Sequence, residues 1–189
     1  MKCLILFLLA TVLALPAVSQ QNGPKPATRG KNHTVILESE GGSFAIEGPK
    51  GWIADHKVGR HLGVCCVYYP SGTWDTAETF LYPNIVTKGP GRATLQQLMD
   101  ADLAKFRKDY PGMHYVDGDI PFENRTAKVR YFHGVNQGSS EAVAYIDEDK
   151  IIALVVLSSK TEKGLVDTLP RLLEVLETYT YGVKAVSAK

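Results

Sequence analysis

Three segments in the second half of the chain commit it to an antiparallel sheet. Residues 127–133 alternate, with Ala127, Val129, Tyr131 and His133 on one side and Lys128, Arg130 and Phe132 on the other, the period-two pattern of a strand. A glycine- and serine-containing loop leads to residues 141–146, Glu-Ala-Val-Ala-Tyr-Ile, a second strand-like segment. Asp147-Glu148-Asp149-Lys150 is then a short charged turn into Ile151–Leu157, a continuous apolar run that fits a central strand covered on both faces. Turns this short join antiparallel neighbours, because a parallel return needs a crossover of about a dozen residues or more.

Two amphipathic helices accompany these strands. Thr94 stands three residues before Gln97, a capping-box pattern. Leu95, Leu98, Met99, Leu103, Phe106 and Tyr110 then form one apolar stripe. Lys105, Arg107 and Lys108 load the last turns, where the helix dipole favours cations, and Pro111-Gly112 stops the helix. Ser159 and Glu162 offer a second capping box, ahead of a helix lined by Leu165, Leu169, Leu172 and Leu176 that Pro170 is expected to kink or divide. Earlier in the chain, 34–37 and 43–46 flank Glu40-Gly41-Gly42 as a hairpin, and Pro49-Lys50-Gly51-Trp52 makes a rigid corner. Residues 64–69 read as a buried strand, and 79–87 as a strand whose Pro83 marks an edge or a bulge. Together these elements predict an α+β fold: a twisted, mostly antiparallel sheet flanked by helices.

The first nineteen residues read as a removable secretory signal. Lys2 supplies a positive start, residues 3–15 are apolar and uncharged, and Ala17-Val18-Ser19 places small residues before a cleavage point at Gln20 or Gln21. The apolar run is shorter than the roughly 20 residues of a spanning helix. Cys3 lies at the start of that run, the wrong end for a lipoprotein attachment cysteine. The expected organisation is a signal peptide at 1–19, a polar leader rich in proline and glycine at 20–31, one α+β domain at 32–182 and a tail at 183–189. The apolar head carries Lys2 and no acid, so the 21 basic and 20 acidic side chains become 20 of each. A neutral domain lacks a phosphate-tracking surface, which argues against nucleic acid as a partner, and no membrane anchor is expected once the signal is removed. The expected location is periplasmic or secreted.

The Phe44-x-Ile46 segment leading to Pro49-x-Gly51-Trp52, the Tyr69-Pro70-x-Gly72 corner, the helix opening at Thr94-Leu95, the meander ending in Ala144-Tyr145-Ile146-Asp147 and the terminal helix resemble the PsbP-like family over roughly residues 34–180. That group includes the extrinsic photosystem II subunit, Mog and DcrB. The resemblance implies an α-β-α sandwich. It implies neither photosynthesis nor Ran binding, because no residue here matches those sites.

Candidate chemistry is sparse. Cys65 and Cys66 are the only cysteines beyond the signal, in a chain expected to reach an oxidising compartment. Three readings stay open. Strand geometry sends one thiol to the core and one to the surface; a vicinal disulfide closes a small strained ring; or the pair serves a metal or an intermolecular bridge. His56, His61, Cys65 and Cys66 fall within eleven residues, and thiolate with imidazole suits zinc or copper, although the spacing matches no established finger. Trp52, Tyr68 and Trp74 could line an apolar pocket. Lys88-Gly89-Pro90-Gly91-Arg92 fails both the dinucleotide and the P-loop fingerprints and reads as a plain turn. Hydrolase signatures are absent from the sequence, Asp100 and Asp102 diverge around their helix, and no cofactor is identified. Asn32 and Asn124 head glycan-acceptor sequons. The leading expectation is an exported non-catalytic binding or assembly protein whose partner is an unknown protein or small ligand. The alternatives are an exported zinc- or copper-handling protein using the His/Cys cluster and an enzyme of unrecognised type.

Overall fold

The computed structural model describes residues 33–89, 94–136 and 138–183. The expected signal, the leader, Asn32, residues 90–92 of the Lys88–Arg92 turn and all but the first residue of the tail lie outside them. The chain opens with the predicted hairpin, β1 (Thr34–Ser39) and β2 (Gly42–Glu47), in a register that pairs Val35 with Ile46 and Leu37 with Phe44. A Cβ on Gly41 would stand 2.5 Å from the Lys150 carbonyl, so the glycine pair lets the hairpin tip meet the later charged turn.

After the Pro49–Trp52 corner come β3 (Ile53–Asp55), the short helix α1 (His56–His61), β4 (Val67–Tyr69) and β5 (Thr79–Thr87). Helix α1 departs from expectation, yet its ends are marked. The Asp55 side chain accepts from the Val58 amide at 2.9 Å, and Gly63 takes φ 76° while Val64 N donates to Gly59 O, a Schellman closure. This helix shortens the strand expected at 64–69, so that Cys65 and Cys66 precede β4 rather than lying in it. Strand β5 pairs with a later strand along its whole length but meets β4 only at Tyr68–Leu81, and the remainder behaves as an edge that accommodates Pro83.

Helix α2 (Leu95–Asp109) carries the predicted capping box, with Thr94 and Gln97 satisfying each other's amides. A strand absent from the sequence reading follows: β6 (His114–Phe122), at the end of the large sheet. Asp117, Gly118, Asp119 and Pro121 are poor strand formers, and β6 exists because it pairs along its full length with β7 (Arg125–Val135). Strands β8 (Ser139–Asp147) and β9 (Ile151–Ser159) complete the expected antiparallel meander. Helix α3 (Glu162–Leu176) is one continuous element through Pro170. Its cap is Thr161, whose hydroxyl accepts from the Gly164 amide at 3.0 Å, while Ser159 stays in β9 facing Thr79 and Ser140. Finally β10 (Thr180–Tyr181) joins β2.

The result is an α+β fold with two antiparallel sheets, β1-β2-β10 and β3-β4-β5-β9-β8-β7-β6. Met99, Leu103 and Phe106 of α2 pack on Phe132, Val143, Tyr145 and Ile152 on one face of the large sheet. Leu165, Leu172, Val175 and Leu176 of α3 pack, together with Phe44 and Ile46 of the small sheet, on Ala127, Val129, Ala144 and Val155 on the other. Each fully buried Leu, Ile, Val, Met or Phe among these contributes about 1.5–3 kcal/mol. No helix among the described residues is long and apolar enough to cross a membrane.

Candidate binding cleft

The α2 face of the large sheet runs out beyond the first turn of α2, and there an open cleft of about 650 Å³ forms between that turn, the middle of β6 and β7, and the end of β8. Its floor follows from register. On β6, Asp117 and Asp119 point to one face because they are two residues apart, and they stand opposite Arg130 and Lys128 of β7. Arg130 is only 3% exposed. Its Nε and Nη2 donate to the Asp117 carboxylate at 2.6 and 2.9 Å, Nη1 donates to the Met99 carbonyl at 2.7 Å, and the guanidinium lies 4.8 Å from the Tyr115 ring centroid. A planar fork held at both ends is a rigid base for the cleft. The Arg130 hydrogen bonds hold the Asp117 carboxyl below its usual range. At the rim, Lys128 and Asp119 pair at 2.9 Å, both half-exposed, and Asp147 pairs with Lys88 at 2.5 Å.

Further along α2, Tyr145 donates to Asp102 at 2.8 Å. Burial raises the Asp102 carboxyl above its usual value, the Tyr145 hydrogen bond opposing it. Nearby, burial pushes Glu141 up to about 7, against the hydrogen bond from Ser158 and with help from the Asp102 charge.

On the opposite face a polar row crosses the sheet: Thr79, Ser159, Ser140, His133 and His114, each opposite the next. Ser140 Oγ lies 3.5 Å from His133 Nδ1, and Glu162 lies 3.6 Å from that same nitrogen. Serine and carboxylate meeting one ring nitrogen is not a relay, which needs them on opposite sides of the imidazole, and Ser140 is 1% exposed.

No family model and no curated protein matches this chain. Among solved structures, the chain is similar to the solution structure of cyanobacterial PsbP (CyanoP) from Synechocystis sp. PCC 6803, at 13% identity over 85% of this chain and 98% of that one, with a TM-score of 0.48. The match lies in the family that the sequence resembles. It transfers no residue's role to this chain.

The residues singled out from sequence are dispersed. Trp52 and Tyr68 are buried beneath the α3 side of the core, Tyr68 donating to the His33 carbonyl, whereas Trp74 packs on Phe80 in a separate cluster 4.7 Å between ring centroids. His56 and His61 lie at the two ends of α1. His56 Nδ1 is 3.2 Å from the Cys65 carbonyl oxygen, and the two cysteines are free thiols with sulfurs 3.2 Å apart. Among the described residues no group of three or more His, Cys, Asp or Glu side chains is arranged to hold a metal ion. Asn124 is exposed at the β6–β7 turn. As site residues, Asp117, Asp119, Lys128 and Arg130 were not singled out from the sequence. Their signal was present as acids two apart on one side of a turn and bases two apart on the other, the signature of a cross-strand charged ladder.

Proposed function

We propose that this is an exported, non-catalytic binding protein that holds a polar partner, a protein or a small ligand, in the cleft between the first turn of α2 and the β6–β7 ladder. The observation that carries this reading is the Arg130–Asp117 pair at the cleft floor. Its charges are neutralised internally and its geometry is locked, which suits recognition by shape and hydrogen bonding. A carboxyl held below its ordinary range stays ionised near neutral pH and is a poor proton shuttle, since general acid–base groups work best with a pKa near the ambient pH. The exposed Lys128–Asp119 pair at the rim is a weak interaction in itself and can exchange its partners for those of a ligand at little cost. Export is supported by the N-terminal pattern of Lys2, the apolar run and Ala17-Val18-Ser19.

The test is photo-crosslinking in the native host, with the crosslinker at the rim residue Gln96 and, as a control, at the exposed Val166 of α3. A saturable product from Gln96 that disappears with Lys128→Glu supports the cleft. Equal labelling from both positions, or labelling indifferent to Lys128→Glu, overturns it. Intact mass of the protein recovered outside the cytoplasm tests export: a chain still beginning at Met1 defeats that part.

A further inference from the structure

The Cys65–Cys66 pair takes no part in the cleft, and its setting is specific. Side chains of adjacent residues in a strand diverge to opposite faces. Here the α1 closure ends the helix at Leu62–Gly63 and β4 does not begin until Val67, so residues 65 and 66 are free of strand alternation. Their sulfurs lie on the same side, 3.2 Å apart. The peptide joining them is clamped: a Cβ on Gly59 would stand 2.5 Å from Cys66 Cα and 2.6 Å from its nitrogen, so α1 meets this peptide backbone to backbone, and His56 lies against the Cys65 carbonyl. The two thiols are unequal. Cys66 is fully buried, whereas Cys65 is reached by solvent. The Cys65 side chain as hydrogen-bond partner, then burial, push the Cys66 thiol far above the ordinary thiol range, with the Tyr68 hydroxyl opposing.

We infer that Cys65 and Cys66 are a reversible vicinal-disulfide site, closed by exchange with a small-molecule disulfide and entered through Cys65. The Cys65 thiolate attacks one sulfur of the external disulfide. That S–S bond breaks, one thiolate leaves, and a mixed disulfide forms on Cys65. With Cys65 blocked as the mixed disulfide, the Cys65 contribution that held the Cys66 proton is gone; Cys66 passes its proton to the departed thiolate, attacks Cys65 Sγ and expels the second thiolate. The two cysteines lose two electrons, the external disulfide becomes two thiols, and the two cysteine protons end on those thiols. The sulfurs need close from contact distance to about 2.05 Å. A ring between adjacent residues is strained, and strained bridges are the readily reduced ones, so the site responds to the thiol poise of its surroundings rather than acting as a permanent staple.

The test uses the purified chain equilibrated in glutathione buffers of rising oxidised-to-reduced ratio, quenched in acid, alkylated under denaturing conditions and digested with trypsin. Residues 61–88 form one peptide containing both cysteines. Its doubly alkylated form is expected to give way to an unalkylated form lighter by two hydrogens, and reduction should restore both alkylation sites. In Cys66→Ser the reaction should stop at a glutathione adduct on Cys65. Two alkylatable thiols at the most oxidising ratio, a lasting glutathione adduct on the wild-type peptide, a dimer linked through residue 65, or no adduct on Cys66→Ser would each overturn the inference. None of these outcomes depends on cleft occupancy.

Discussion

Arg130 and Asp117 face each other across the β6–β7 pair through two hydrogen bonds, with the guanidinium almost wholly buried and the carboxylate half-exposed. The asymmetry decides what breaking the pair does. Removing the carboxylate strands a buried cation, whereas removing the cation leaves a carboxylate that water already reaches.

Asp117→Ala should therefore cost more than Arg130→Met. We expect about 2 kcal/mol for the former, below the ~3–5 kcal/mol of a fully buried pair because Asp117 is partly solvated, and about 1 kcal/mol for the latter, chiefly from the lost Met99 carbonyl bond. Urea denaturation of both variants checks the order. The reverse order would mean that Asp117 is not what compensates the guanidinium. Because the carboxyl is depressed in the fold, its contribution is present above the ordinary carboxylate range and is lost as pH falls through its lower folded value.

Glu141 behaves in the opposite sense. Its folded value of about 7 lies above the unfolded one, so the native state holds a proton that the unfolded chain has lost. Stability linked to this group is complete below the unfolded value and falls as pH rises toward 7. Glu141→Gln should raise stability at pH 8 by on the order of 2–3 kcal/mol and make almost no difference near pH 4. Thermal melts of both proteins across that interval read it; parallel curves would disprove the buried-carboxyl account.

Glu123, in the tight β6–β7 turn, sits at φ 48°, a conformation that costs a non-glycine residue about 1–2 kcal/mol. Glycine adopts it freely but gives up about 0.4–1 kcal/mol through the unfolded state. Glu123→Gly should thus stabilise by up to about 1 kcal/mol, visible as a shifted urea midpoint with unchanged slope. A loss of stability would mean that the Glu123 side chain makes a contribution greater than its backbone strain.

Among the described glycines, Gly48 lies closest to an aromatic ring. A Cβ there would fall 2.1 Å from Tyr68 Cε1, and that ring is buried and tied to the His33 carbonyl. Gly48→Ala should cost about 1–3 kcal/mol as overpacking, with recovery in Gly48→Ala/Tyr68→Leu, where the ring is gone. Additive losses in the double variant would count against a steric origin.

Much of this was legible because it is local. The Thr94–Gln97 box and the stripe through Met99, Leu103 and Phe106 lie within one helix, and the structure keeps both. The alternation around Val129 and the run from Ile151 are strand properties independent of partners, and the expected meander forms. The start of α3 was displaced from Ser159 to Thr161 because either residue can cap; Ser159 is retained by its cross-strand neighbours Thr79 and Ser140, which lie far away in sequence. Helix α1 had legible ends in Asp55 and Gly63 but is too short to show an apolar stripe.

The amino-acid order by itself determined the Thr94 cap, the apolar stripes of α2 and α3 and the two-faced pattern of the meander strands, since caps, turns and periodicity act over a few residues. Tertiary structure alone decided that β1, β2 and β10 form a sheet of their own, that a poor strand former such as Asp117-Gly118-Asp119 becomes β6, and that its acids meet Lys128 and Arg130 to make the cleft. Periodicity states that a strand has two faces but not what covers them. Register, and the charge pairing it brings, emerges only when distant segments compete for the same hydrogen bonds and the same core.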